Sequence, residues 1–271
     1  MIKVASLNCR GLNKKLKRKT IFNDIMKYTV TCLQETYIND EKRKLWELDW
    51  KGHFYHVNGT SNSNGLIILI NTQVEENNIK VIFKKDRLLV LRITINNFTF
   101  FVANVYAPSS KKEKLSFFND LHNLFNHIEN DNVVICGDFN MVYDKSKDII
   151  SGQAHDNDLV IRFKKWIDTY NLVDSWRLIN NTMTDFTWSR ANPFVARRLD
   201  YIFTSETLSR NVSESKHSFS TFSDHKMVVT CFQTHNFKRG PSYWKLNASV
   251  LKDLDYINEM NANIDSFFFT R

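Results

Sequence analysis

Short β-branched and apolar runs recur along this chain, at Lys3 to Leu7, Val30 to Leu33, Gly65 to Ile70, Leu88 to Ile95, Phe98 to Tyr106, Val133 to Cys136, Phe186 to Trp188, Leu199 to Phe203 and Met227 to Phe232. Their length and composition predict strands. Helical spacing falls between some of them. Ile21, Ile25 and Tyr28 face inward from a basic helix over about Lys15 to Tyr28. Phe118, Leu121, Leu124, Phe125 and Ile128 share a second inward face, and Ile161, Trp166, Ile167 and Tyr170 a third. Asn96-Asn97 reads as a hairpin turn. Many strands joined by both hairpins and helical crossovers predict an α/β fold, a four-layer sandwich of two packed mixed β-sheets flanked by helices.

The ends of these runs carry polar strings: Gln34-Glu35-Thr36, Gly137-Asp138-Phe139-Asn140, Arg198-Leu199-Asp200-Tyr201 and Ser223-Asp224-His225. Asn8 after the first strand and Tyr106 after a central one complete the set. Strand ends are where an α/β scaffold presents side chains to a crevice, so these groups can converge on one phosphate although distant in sequence. Breaking a phosphodiester needs a cation on the phosphate oxygens, a positioned water and help for the leaving oxygen. Glu35 is the first candidate for the metal, helped by Asn8 or Asp224, because Mg2+ prefers few carboxylates and keeps several waters; Mn2+ is a possible substitute.

Asp138 and Asn140 alternate along what reads as an extended segment, placing both on one side with Phe139 in the core. That suits a carboxylate orienting the attacking water and an amide holding a phosphate oxygen. Asp200 beside His225 would fix the imidazole tautomer and raise its pKa, making it a phosphate-stabilising cation or a proton donor or acceptor. His53, His122 and His155 have no such surroundings and read as surface residues.

At 271 residues and 42% hydrophobic content, the chain can bury a substantial core. Its formal charge of +8 suits a polyanionic partner, although solubility alone accounts for it equally well. Cys9, Cys32, Cys136 and Cys231 stand singly in or beside apolar strands, without metal spacing, and read as buried thiols. The chain opens directly into a strand and no apolar stretch approaches the roughly 20 residues of a membrane span. The expectation is a soluble intracellular protein without a signal peptide, membrane contact or visible obligate protein partner. Composition shifts after Phe232, and Lys238-Arg239-Gly240-Pro241 breaks the strand pattern, so a domain is expected over 1–236 and an extension over 237–271.

These strings, in this order, resemble the endonuclease/exonuclease/phosphatase superfamily, which includes DNase I, abasic-site endonucleases and the endonuclease domains of LINE-type non-LTR retrotransposons. The resemblance covers about residues 1 to 233. Asn8-Cys9-Arg10-Gly11-Leu12, Asn104-Val105-Tyr106-Ala107-Pro108, Phe186-Thr187-Trp188 and Arg198-Leu199-Asp200-Tyr201 look most like the retrotransposon branch. Gly240-Pro241-Ser242-Tyr243-Trp244-Lys245-Leu246-Asn247 looks like the start of the segment leading to a reverse transcriptase.

The resemblance implies a DNase I-like fold and catalytic positions at Asn8, Glu35, Tyr106, Asp138, Asn140, Asp200, Asp224 and His225, with Thr187 close to the phosphate. It implies a nuclear, Mg2+-dependent endonuclease that nicks one strand of double-stranded DNA. The 3′-hydroxyl so left would prime reverse transcription by another domain of the same polyprotein. An abasic-site repair endonuclease is the nearest alternative, and an inositol-phosphate or lipid-headgroup phosphatase a remoter one. Two departures bear on the choice: Arg10 replaces an acidic residue common in abasic-site enzymes, and Arg197 stands where they tend to place an aromatic residue.

Between Trp188 and Asp200 the chain reads as a hairpin carrying Arg190, Asn192, Arg197 and Arg198. Arginine enters a narrow minor groove well, which makes these residues candidates for contact with DNA. Arg10 and Lys14 join them as weaker candidates.

Overall fold

The strands are β1 (Ile2–Asn8), β2 (Val30–Gln34), β3 (His53–Gly59), β4 (Asn64–Ile70), β5 (Ile79–Lys85), β6 (Leu88–Ile95), β7 (Phe98–Tyr106), β8 (Val133–Asp138), β9 (Ile149–Ile150), β10 (Leu172–Asp174), β11 (Trp188–Arg190), β12 (Val195–Arg197), β13 (Asp200–Ser205), β14 (Val212–Ser218) and β15 (Met227–Phe232). Helices α1 (Lys15–Ile25), α2 (Asp40–Trp46), α3 (Lys111–Leu124), α4 (Asn157–Thr169), α5 (Ser175–Ile179) and α6 (Glu206–Ser209) join them. This computed structural model describes residues 1–60, 63–128, 132–151, 157–233 and 257–258. The chain divides into two compact units, Met1–His235 and Asn236–Arg271. The turn and aromatic string expected at 238–247 lie outside the described residues, as does His155.

One six-stranded sheet has the order β14-β15-β1-β2-β4-β3 and the other β10-β13-β8-β7-β6-β5. Each is antiparallel except for one central parallel pair, β1 with β2 and β7 with β8. Parallel neighbours need a crossover, which α1 and α3 supply. A small third sheet, β11-β12-β9, carries the predicted hairpin.

Alternation along the strands sends neighbouring side chains to different cores. Cys32 joins Val4, Ile68, Val102, Val134 and Cys136 between the two sheets. The next residue, Leu33, joins Leu7 and Ile67 against Ile21, Phe22 and Ile25 of α1. On the opposite side Ala103, Val105 and Ile135 meet Phe117, Leu121, Phe163 and Trp166 of α3 and α4. Helix, sheet, sheet, helix is the predicted four-layer order. Each fully buried Leu or Phe contributes about 1.5–3 kcal/mol of transfer free energy, so both faces of both sheets favour this order. All four cysteines are free and buried. Among the described residues, no helix is long and apolar enough to cross a membrane.

The hairpin turn is as expected: Asn96 and Asn97 both have positive φ, at 50° and 64°, as a two-residue turn between twisted strands demands. The phase of α4 differs from expectation. Ile161 is 62% exposed, because the helix buries Leu159, Val160, Phe163, Trp166 and Ile167 instead. Ile128 lies beyond α3, after a short 3₁₀ turn at Phe125–His127.

Gly137, next to last in β8, has φ 147°, and a Cβ there would lie 1.8 Å from the Val105 carbonyl oxygen in β7. Gly137→Ala is therefore expected to force this parallel pair apart, at a cost of about 3 kcal/mol or more. Urea unfolding of the variant measures it, and an unchanged midpoint would show that the pair yields more easily than its geometry implies.

Candidate active site

The C-terminal ends of the two parallel pairs meet at Asn8. Its Nδ2 donates to Glu35 Oε1 and to Asp138 Oδ2, each at 2.9 Å, while its Oδ1 accepts the Arg10 N–H. Tyr106, at the end of β7, donates its hydroxyl to Glu35 Oε1 at 2.8 Å. Burial and the Glu35 charge raise the Tyr106 pKa, so the phenol stays protonated and acts as a donor. Asn8 was expected as a metal ligand. In this arrangement its oxygen is turned to the backbone, and it serves as a bridge between two carboxylates.

Asp138 and Asn140 share one side of the chain, but not by extended alternation. Asn140 takes φ 48°, and Asp138 Oδ1 accepts its N–H at 2.8 Å, a tight turn closed by the carboxylate itself. Phe139 is fully buried as predicted, with Phe163 and Phe203 each 5.3 Å away between ring centroids. That aromatic cluster anchors the turn. One N–H of Asn140 goes to the Ala107 carbonyl oxygen, leaving the other for a ligand. Lys114 of α3, 3% exposed, donates from Nζ to the Asn140 carbonyl oxygen at 2.7 Å. Burial brings its pKa down to about 8 against the opposing pull of Asp138.

Asp200, first in β13, lies opposite Asp138 in register, and its Oδ2 pairs with His225 Nδ1 at 2.8 Å. Burial disfavours the imidazolium, but the charges of Asp200 and Asp138 prevail and push the His225 pKa up to about 9. Burial and then Asp200 push Asp138 up to about 7, opposed by His225 and Asn8. At neutral pH, His225 is thus a cation and Asp138 is poised to exchange a proton.

The neighbouring arginine does different work. Arg198 is 0% exposed: Nε and Nη2 grip the two oxygens of Asp148 at 2.9 Å each, Nη1 reaches Asp174 Oδ2 at 2.5 Å, and the guanidinium stacks on Tyr201. Arg198 is therefore unavailable to DNA, because its fork is consumed by two buried carboxylates. Thr187 is likewise fully buried, its Oγ1 accepting the N–H groups of Leu199 and Asp200. It sets the backbone that carries Asp200 instead of facing a phosphate.

Ser223 ties the last string to the first: its hydroxyl donates to the Asn8 carbonyl oxygen and accepts the His225 N–H. Asp224 Oδ2 accepts from Arg10 Nη1 at 2.6 Å and Trp188 Nε1 at 2.9 Å. Glu35, Asp138, Asn140, Asp224 and His225 line one cleft of about 460 Å³, together with Arg10, Arg190 and Arg197. Arg190 and Asn192 are exposed on the hairpin formed by β11 and β12, as expected. Lys14 lies off the cleft, in an adjacent cavity that Arg10 also lines.

Tyr37, Lys114 and Trp188 are site residues that sequence reading did not single out. Tyr37 donates to Glu35 Oε2 at 3.3 Å. Its position two residues beyond Glu35 was the available signal.

The donor set fits a divalent cation. Ligand atoms of Asp138, Asp200 and His225 all lie within 4.8 Å of one another. The Oδ1 atoms of Asp200 and Asp224 are buried with no hydrogen-bond partner among the described residues. Because His225 Nδ1 is engaged by Asp200 Oδ2 and Mg2+ is a hard cation, the oxygens of Glu35 and Asp224 are the better holders.

The Endonuclease/Exonuclease/phosphatase family profile matches residues 5–225. The transposon TX1 uncharacterized 149 kDa protein of Xenopus laevis is 28% identical over 258 residues, which are 93% of this chain and 20% of that protein. The chain thus spans about a fifth of the length of this relative. An AP endonuclease from Archaeoglobus fulgidus superposes with a TM-score of 0.67 at 20% identity, covering 86% of this chain and 99% of that one. The endonuclease domain of TRAS1, a telomere-specific non-LTR retrotransposon, superposes with a TM-score of 0.64 at 14% identity and covers 86% and 99%. The shared fold is the DNase I-like sandwich.

NMR titration of His225 is expected to give a pKa near 9, falling markedly in Asp200→Asn, where only the charges of Asp138 and Asp224 are left to oppose burial. Since the folded-state pKa lies above the unfolded one, the pair's contribution to stability is full below about pH 6.5 and is lost as pH rises through about 9. A titration unchanged by Asp200→Asn would place the source of the shift elsewhere.

Proposed function

This chain belongs to the endonuclease/exonuclease/phosphatase family, and from that premise we propose that it is a Mg2+-dependent endonuclease that nicks one strand of duplex DNA to leave a 3′-hydroxyl. One observation carries the assignment: carboxylates, an amide and an imidazolium from distant strand ends converge in a single cleft beside an arginine-bearing hairpin. The similarity to a transposon protein supports a role in which the new 3′-hydroxyl primes reverse transcription by another domain of the same polyprotein. Such an enzyme works on chromosomal DNA in the nucleus.

Glu35, with the bare Asp224 Oδ1, would hold Mg2+, or Mn2+ in its place, which when bound supplies charge neutralisation at the phosphate oxygens. Asp138 takes a proton from the attacking water as its oxygen forms a bond to phosphorus. Asn140 steadies a phosphate oxygen with its remaining N–H. The His225 imidazolium, held by Asp200, faces the charge that develops on the phosphoryl oxygens. The P–O3′ bond breaks, its electron pair leaves with O3′, and the departing oxygen takes a proton from solvent water to become the 3′-hydroxyl. Arg197, in the place where an aromatic residue would cradle a base-free sugar, favours intact duplex over abasic DNA as substrate.

The test is nicking of supercoiled plasmid by the purified chain with Mg2+, followed by polymerase extension of the nicks without prior phosphatase treatment. Extension is expected; ends blocked by 3′-phosphate would overturn the proposed bond cleavage. Strong preference for an abasic oligonucleotide over intact duplex would favour a repair enzyme. Glu35→Gln is expected to lose about 100-fold or more in nicking rate while binding duplex as before.

Exchanging residues 191–194 at the hairpin tip for Gly-Ser is expected to redistribute nicks among sequences more than it slows the best remaining sites. A nick map of the same plasmid checks this. An unchanged map with uniformly lower activity would make the hairpin a nonspecific clamp.

A further inference from the structure

A second cavity, of about 470 Å³, adjoins the catalytic cleft, and Arg10 lines both. The chemistry above does not use it. Lys14 and Lys17 contribute charge from the start of α1 and the loop before it, while Tyr37, Phe222 and Leu16 contribute apolar surface. Among the described residues, no carboxylate lines it. The acids closest in sequence to its wall, Glu35 and Asp224, are already engaged by Tyr37 and Arg10.

The cavity has a built wall. The Tyr37 ring is pinned at one end by its hydroxyl on Glu35, at 3.3 Å. Below it lies Gly11, where a Cβ would come within 2.6 Å of the ring. The ring therefore lies directly on the backbone, in an orientation set by a catalytic carboxylate. Lys17 Nζ donates to the Arg10 carbonyl oxygen at 3.1 Å, holding its ammonium group at the rim. Cations beside aromatic rings in one cavity match a nucleotide, because phosphate seeks Lys and Arg while any base stacks on an aromatic face. A phosphate alone would gain nothing from the rings, and a base still stacked in the duplex offers them no free face.

We propose that this cavity takes one unstacked nucleotide of the strand flanking the scissile phosphate, its base against Tyr37 and Phe222 and its phosphate on Lys14 and Lys17. This rests on the endonuclease reading above. It follows that the enzyme favours a target at which one defined nucleotide beside the nick is easily unpaired, since the cost of extruding a base is least where pairing is already broken.

The experiment uses the full chain and duplexes containing its best nick site, with a single mismatch, or 2-aminopurine in place of a base, moved through each flanking position. One position is expected to tighten binding about tenfold when mismatched, and 2-aminopurine at that position is expected to brighten on binding. Phe222→Leu, which keeps apolar volume but not the ring, is expected to remove both signals. Lys14→Ala is expected to reduce the salt slope of binding by about 0.9. Active enzyme with a flat scan, or a signal that survives Phe222→Leu, overturns the assignment of the cavity. A flat scan with a reduced salt slope in Lys14→Ala makes it a phosphate clamp and overturns the base-binding role. Failure of the wild type to nick any duplex instead overturns the endonuclease reading itself.

Discussion

Asn8 has one NH2 group and divides it between two sheets, giving one hydrogen to Glu35 beyond the neighbouring strand and the other to Asp138 across the sandwich. Below it the polar seam continues. Gln34 Nε2 donates to Asn104 Oδ1 at 2.8 Å, and Asn104 Nδ2 donates to the carbonyl oxygens of Leu33 and Ile67. All three amides are fully buried. Hydrophobic burial between the sheets is non-directional and would tolerate small slips of one sheet over the other. A slip that broke this seam would strand buried polar groups at about 1–3 kcal/mol each. The apolar contacts hold the sheets together, and the amides set where Glu35 stands relative to Asp138.

The same division of labour runs within a single string. In Arg198-Leu199-Asp200-Tyr201, the first and last residues hold and the third acts. Tyr201 donates to the Arg198 and Met141 carbonyl oxygens and accepts the Tyr143 N–H. Arg198 meanwhile is locked to Asp148 and Asp174, and Arg177 adds a further contact to Asp148 at 2.6 Å. A buried ion network of this kind contributes little net stability relative to an apolar replacement, yet removing one member leaves an uncompensated charge. Its consequence here is placement: it fixes the start of β13, and with it the carboxylate paired directly with His225.

What could be read from the sequence follows from this architecture. β7 and β15 were legible to the residue, because strands buried on both faces are continuous apolar runs. β14, with the sequence VSESKHS, was not, since an edge strand needs only part of its side chains inside and takes its pairing from β15. β5, at the edge of the other sheet, carries Lys80, Lys84 and Lys85 and escaped for the same reason. The carboxylates around the cleft were legible because they stand at or beside the ends of recognisable strands. Arg198 was misread as a DNA contact because its partners lie 50 and 24 residues away, whereas other arginines stand beside it in sequence. Lys114 was hidden among exposed lysines, and only the packing of α3 separates it from them.

A sandwich covered by helices on both sides has no free sheet face on which to build a site, since a side chain within a strand enters one core or another. Chemistry is confined to the residues where strands stop, and they must stop abruptly to turn a side chain from the core to the cleft. The backbone records this demand. Arg10, Glu35, Tyr37 and Asn140, none of them glycine, all have φ between 46° and 61°. Such left-handed residues cost on the order of 1–2 kcal/mol each and persist where surrounding bonds enforce them. Those bonds are present: the Gly11 N–H is held on the Glu35 carbonyl oxygen, the Tyr37 N–H on that of Asn64, and the Asn140 N–H on the Asp138 carboxylate. At the cleft, the cores and amide seam that sustain this strain lie directly behind the turns. The hairpin formed by β11 and β12 stands outside this constraint, with its tip exposed and no core to complete. Its tip can therefore vary without disturbing the turns that shape the cleft.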